Sequence, residues 1–300
     1  MALPATSLYS RLEEADALIR IGRIGAARMA FNALLEASQD RQDQSTETIA
    51  RAMLAACAIR YGDLDGARAR LDEARERAQP DNIAAEARLR AVEVRLTLAD
   101  DDTDSGERAV HEYVGWAEDH RSWPQAVDGY RLLADIDATD RAFWLRRAVQ
   151  TALDYGLRDE CGNLYNDLAI ALDGIDRADE AFEAYRQALA WYRRTGTTGQ
   201  VAAACWAVGS VAVQQQDWGT AESHLAEAIR ITAGGDEHRD IHAIALSDLA
   251  RIHAASGDVV EARRVMIRAL AIAREVDLPD QWPERWATMA GFARELELDL

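Results

Sequence analysis

The sequence predicts an all-α protein made of repeated helix pairs, on three observations. Glycine and proline punctuate a chain in which β-branched alternation is nowhere sustained, so the runs between breaks read as helix. A pattern of a small residue, a large apolar residue four later and another small residue seven later recurs along the chain, strictly in four copies and loosely in three. Its first members are Ala27, Ala67, Ala109, Arg141, Ala181, Ala221 and Ala262. Successive steps of 40, 42, 32, 40, 40 and 41 residues mark a repeat array.

Unit one pairs a helix around Ala15 with one carrying Ala27, Phe31 and Leu34, across the turn "GRIG". Unit two pairs Ala55 with Ala67, Leu71 and Ala74 across "YGDLD". In unit three Thr97 is the one exception to the small-residue rule, and the acidic loop "DDDTDSG" precedes Ala109, Tyr113 and Trp116. Unit four, reached by the short 32-residue step, pairs Gly129 with Arg141, Leu145 and Ala148. Units five to seven carry the strict pattern. They pair Ala169 with Ala181, Tyr185 and Ala188, Gly209 with Ala221, Leu225 and Ala228, and Ala250 with Ala262, Met266 and Ala269. Their turns are "GIDRAD", "QQDWG" and "SGDVV". The first-helix residue always stands twelve positions before its trio. Each unit is therefore expected to be an antiparallel helix pair whose closest approach is lined by alanine and glycine, with the large residue filling the gap to a neighbour.

The last stretch, "DQWPERWATMAGFARELEL", puts Trp282, Trp286, Met289 and Phe292 on one helical face, with Pro283 tolerated in the first turn. No trio follows it. A stacked array needs its last apolar edge covered, so residues 280–300 are expected to cap an array spanning 1–279.

This arrangement resembles the tetratricopeptide repeat over residues 8–275. The period near 40, against the family's usual 34, resembles the longer-helix versions in kinesin light chains and in regulatory arrays of bacterial transcription activators. The family's proline after the second helix is present only as Pro80. The resemblance implies a right-handed α-solenoid of about seven helix pairs with a C-terminal cap. It also implies a concave groove, lined by first helices, that holds an extended peptide or a partner helix.

Placed by the alanine anchors, the groove positions begin with Tyr9, Ile19 and Ile59. Unit four contributes Trp123 and Tyr130, unit five Asn166 and Ile170, unit six Trp206, Ser210 and Val213, and unit seven Asp248 and Arg251. A mixed aromatic and apolar surface of this kind suits an apolar peptide or an amphipathic helix. It lacks the paired bases with which some family members clamp a C-terminal carboxylate. Trp218, in the turn of unit six, is expected to pack within its repeat.

Charge narrows the partners. Fifty-two acids face 34 bases, for a net charge of −18 and an isoelectric point near 4.8, which repels nucleic acid and anionic lipid. All the bases are arginine, as arginine-favouring codon usage would give. Three scattered cysteines, no secretory pattern at the start and no membrane-length apolar run point to a cytoplasmic protein.

Catalytic and metal motifs are not evident. "TAGGDEHRD" has no phosphate-binding lysine, and its "HRD" lacks the accompanying kinase motifs. Asp100, Asp102 and Asp104 have calcium-loop spacing, but Ser105 stands where glycine is required and His111 where the closing glutamate belongs. His238 and His242, four apart with no third ligand nearby, read as helix-start polarity. Cys161 and Cys205 have no adjacent base and read as small buried residues. The expectation is a protein-binding module with no cofactor, no metal and no enzymatic activity. It is either an adaptor or a sensor whose array responds to a peptide or effector. The absence of a DNA-binding segment favours the adaptor. Self-assembly through the Trp-rich last helix is a third, weaker arrangement.

Overall fold

The computed structural model describes residues 7–20, 22–79, 81–100, 103–235 and 237–298; Pro80 and Asp102 lie outside them. The described residues form helices and turns and no strand. They divide into two compact units, Met1–Asp140 and Arg141–Leu300. The first holds α1 (Leu8–Arg20), α2 (Ile24–Asp40), α3 (Gln44–Arg60), α4 (Leu64–Arg77), α5 (Ile83–Ala99), α6 (Thr103–Asp119) and α7 (Trp123–Ile136). The second holds α8 (Arg141–Asp154), α9 (Arg158–Asp173), α10 (Ala178–Thr195), α11 (Thr198–Gln214) and α12 (Trp218–Thr232). It continues with α13 (Arg239–Ala255), α14 (Val259–Glu275), the short α15 (Leu278–Gln281) and α16 (Pro283–Glu295).

The turns explain the period. Gly62, Asp176, Gln216 and Gly257 all take left-handed φ values between 58° and 83°, each one residue before a helix N-cap. In three of these turns an aspartate follows, and Asp63, Asp217 and Asp258 accept the backbone N–H three residues on, at 2.9, 3.2 and 3.0 Å. A left-handed residue stops one helix, and an aspartate starts the next.

Helices pack in the expected pairs: α1 on α2, α3 on α4, α5 on α6, α9 on α10, α11 on α12 and α13 on α14. Unit four departs from this. Its α7 packs on α6 and its α8 on α9, so the two helices belong to different compact units. The reason is visible at the contact positions. A Cβ on Gly129 would stand 2.5 Å from Val114 Cγ2, so this glycine serves the approach of α7 to α6. Its expected mate, Arg141, is an exposed first residue of α8. In unit three Tyr113 is buried, but the two outer positions lie one residue later than expected: Val110 and Ala117 are buried, whereas Ala109 and Trp116 are only half-buried.

In the second unit the small residues lie at the contacts. Ala169, Ala181, Ala188, Ala221, Ala228, Ala250, Ala262 and Ala269 have no exposed surface. A Cβ on Gly209 would come within 2.8 Å of Leu225 Cγ. Ala181→Leu and Ala221→Leu are each expected to destabilise by about 1–3 kcal/mol through overpacking. Unchanged urea midpoints for both variants would contradict this packing.

The C-terminal helix covers the end of the array. Met289, Phe292, Ala293 and Leu296 join a core with Ala250, Met266, Leu270 and Leu278, and Trp286 packs at its margin. Trp282 departs from the expected face. The helix starts only at Pro283, and Trp282, at φ −144°, is its N-cap and is not among the residues of that core.

Behind this core, His242 is buried, and its Nδ1 lies 2.8 Å from the Thr232 hydroxyl. Burial, reinforced by Arg268 and Arg239, holds His242 below the ordinary histidine range. The unfolded chain therefore takes up a proton more readily than the fold does. This contribution is complete above the unfolded value of about 6.5, is lost as pH falls toward the folded value, and is constant below that. The stability difference between wild type and His242→Gln should shrink from about pH 7.5 to pH 5.5 in paired urea melts. A difference independent of pH would contradict the assignment.

Candidate partner-binding surface

The first helices of the second unit bring four of the expected residues together. On α11, Trp206 is half-buried and donates its indole N–H to Asp248 Oδ2 at 2.9 Å. Ser210, one turn further along α11, hydrogen-bonds the same carboxylate. Asp248 lies on α13 at 6 % exposure, with Arg251 Nε 4.0 Å from its Oδ1. Three and four residues along a helix share a face, which is why Trp206 with Ser210, and Asp248 with Arg251, converge.

Two residues from the C-terminal segment complete the cluster. The Arg285 guanidinium lies 4.7 Å from the Trp206 ring centre and 5.4 Å from that of Trp282. The two indoles meet edge to face at 5.8 Å. Burial pushes the Asp248 carboxyl up, against the pull of Arg285, Trp206, Ser210 and Arg251. Arg251 also lies over Phe292 and reaches the Thr288 carbonyl at 3.5 Å, which ties α13 to α16. The result is an amphipathic aromatic patch over a buried, satisfied acid, able to take an apolar side chain against the indoles.

The other expected positions are dispersed. Val213 is half-buried against the α11–α12 core. Asn166 is half-buried and Ile170 is 48 % exposed, both on α9. In the first unit Tyr9 is 69 % exposed, and its hydroxyl is held up by its hydrogen bond to Glu13. Trp123 is the half-buried first residue of α7. Tyr130 is not on a groove. It is 2 % exposed in the α6–α7 contact, with its hydroxyl bonded to Glu118, because α7 turns its aromatic face onto α6. Trp218, expected to pack within its repeat, is covered over most of its surface. It is the first residue of α12 and 37 % exposed.

Ile19 and Ile59 line a cavity of about 220 Å³ in the first unit, together with Met53, Arg88, Arg95 and Asp128. Arg95 donates to Asp128 at 2.5 Å, the Tyr113 hydroxyl bonds the same carboxylate at 3.2 Å, and Arg88 pairs with Asp16. Burial and the Asp128 charge push the Tyr113 phenol up. The sequence reading missed these polar groups. Their signal was Arg88 and Arg95, seven residues apart and so on one face of α5.

The residues weighed for chemistry are engaged locally. Asp100 pairs with Arg68 at the end of α5, and His238 is the left-handed N-cap of α13. Cys57, Cys161 and Cys205 are all buried, and burial raises each thiol, Cys205 to about 12.

Residues 200–275, from α11 through α14, match a family model described as tetratricopeptide repeat. No curated protein matches the chain in sequence. Among solved structures the chain is similar to the apo form of RapI, with TM-score 0.75 and 12% identity over 97% of this chain and 82% of that one. It is similar to a signal transduction ATPase with numerous domains and a tetratricopeptide repeat sensor, from Pyrococcus horikoshii. That match has TM-score 0.67 and 14% identity, covering 91% of this chain but only 43% of the ATPase. A third similar structure is the apo form of the quorum sensor NprR from B. thuringiensis, with TM-score 0.62, 10% identity, and coverage of 97% and 82%. At these identities the likeness is one of fold.

Proposed function

We propose that this protein of tetratricopeptide-like repeats is a non-catalytic, cytoplasmic adaptor that holds an apolar peptide or amphipathic helix of a partner protein on its first-helix faces. The observation that carries this reading is the convergence of Trp206, Ser210 and Asp248 with Trp282 and Arg285 into one half-open aromatic patch. Tryptophan and arginine gathered on one half-open face are the composition of a binding hot spot. Among the described residues no helix is long and apolar enough to cross a membrane.

A sensor is the second reading, and one observation favours it. Arg285 and Trp282 belong to the C-terminal segment yet lie against Trp206 of α11, so an occupant of the patch would act directly on the seating of α16. Two of the similar structures are described as a quorum sensor and as carrying a tetratricopeptide repeat sensor. Self-assembly through α16 is less favoured, because its apolar residues are buried against α13 and α14 of the same chain.

Affinity capture with wild-type and Trp206→Ala baits, run side by side, tests the proposal. A partner retained by the first and lost from the second, at equal helicity of the baits, supports it. Equal recovery of every partner from both baits contradicts it.

A further inference from the structure

Away from the aromatic patch, Cys205 on α11 and His224 and Glu227 on α12 converge. One donor atom from each, the cysteine Sγ, an imidazole nitrogen and a carboxylate oxygen, lies within 4.8 Å of both others. His224 and Glu227 stand three apart on one face of α12, and the α11–α12 pairing brings Cys205 to that face. A second, independent observation concerns His224 Nδ1. It is buried and has no hydrogen-bond partner, the one such side-chain atom among the described residues. A buried ring nitrogen with nothing to bond is costly, and no hydrogen bond from Nδ1 commits this imidazole to another partner.

We propose that Cys205, His224 and Glu227 form a binding site for a transition-metal dication of the Zn2+ class. The donor set is sulfur, nitrogen and oxygen, which selects Zn2+ over the hard cations Mg2+ and Ca2+. Zinc bonds of about 2.3 Å to sulfur and about 2.0–2.1 Å to nitrogen would draw the donors to roughly 3.5 Å from one another. Rotations of His224 and Glu227 supply that contraction, since both side chains are only half-buried on the solvent edge of the helix pair. Three protein ligands leave a fourth tetrahedral position for water.

The site has a competitor. Arg193 of α10 donates to Glu227 at 2.6 Å and also bonds Cys205, so a guanidinium now balances the carboxylate. Metal binding replaces that arrangement: the Cys205 S–H bond breaks, the proton leaves to solvent, a Zn–S bond forms, and Arg193 swings into water. Cysteinate and glutamate then balance the dication, while His224 ligates as the neutral ring.

Co2+ titration of chelator-stripped, dialysed protein tests the site, because a thiolate-to-cobalt charge-transfer band reports the Cys205 bond directly. The expected result is one equivalent bound per chain, displaced by Zn2+. The band should persist in Cys57→Ser and Cys161→Ser and vanish in Cys205→Ser. Glu227→Gln should lower Zn2+ affinity by at least about tenfold in calorimetry. His224→Asn, at a half-buried position, decides the matter should Cys205→Ser fail to fold. No charge-transfer band in the wild type at one equivalent, or unchanged affinity in His224→Asn, would overturn the proposal.

Discussion

Leu225→Ala should cost about 2–5 kcal/mol of stability, read as a fall in urea midpoint at unchanged slope. Leu225 has no exposed surface and lies in a core with Ala188, Tyr192, Cys205, Val208 and Ala228. Its side chain occupies the space that Gly209 leaves on α11. The two residues should therefore couple. Gly209→Ala gains up to about 1 kcal/mol of helix propensity but pushes a methyl into Leu225, so its net effect alone should be small or unfavourable. In the double variant that methyl partly fills the space vacated by Leu225, and the combined loss should fall short of the sum of the singles. Additive losses would mean that these two residues do not meet across the α11–α12 contact.

The second large effect is on binding. Trp206→Ala should weaken the captured partner by about 2 kcal/mol or more, the scale of an aromatic hot spot. Some stability will also be lost, because the Trp206 indole is one of the donors to the buried Asp248 carboxylate. Losing one donor to a buried acid costs about 1–3 kcal/mol, less where Ser210 and Arg285 remain. Trp218→Ala is the control. Trp218 lies at the start of α12, 37 % exposed and outside the patch, so the titration should stay close to wild type. If Trp206→Ala melts early and binds normally, Trp206 is a packing residue and the patch has no role in recognition.

The helix pairs were legible because their signals are local. Short polar turns recur with the period, three of them closed by an aspartate cap, and so do the alanines that let helices approach. Unit four was misread because Gly129 lies at the right spacing from Arg141 while its packing partner is Val114, on the helix before it. Tyr130 was misplaced for a related reason. A first helix with neighbours on several sides is apolar on several faces, and spacing does not say which face is open. Trp282 was read into the cap because helical spacing continues through Pro283, but the chain turns at that residue. The meeting of Cys205 with His224 and Glu227 left no trace in spacing, since it arises only when two helices lie side by side.

Hydrogen exchange of the protein alone and with its captured partner tests the central claim most directly, and it needs no substitution. The account predicts that the partner slows exchange in α11, α13 and the start of α16, around Trp206, Asp248 and Arg285, with little change in α12 and α14. Protection confined to α12 and α14, with α11 and α13 unaffected, would contradict it.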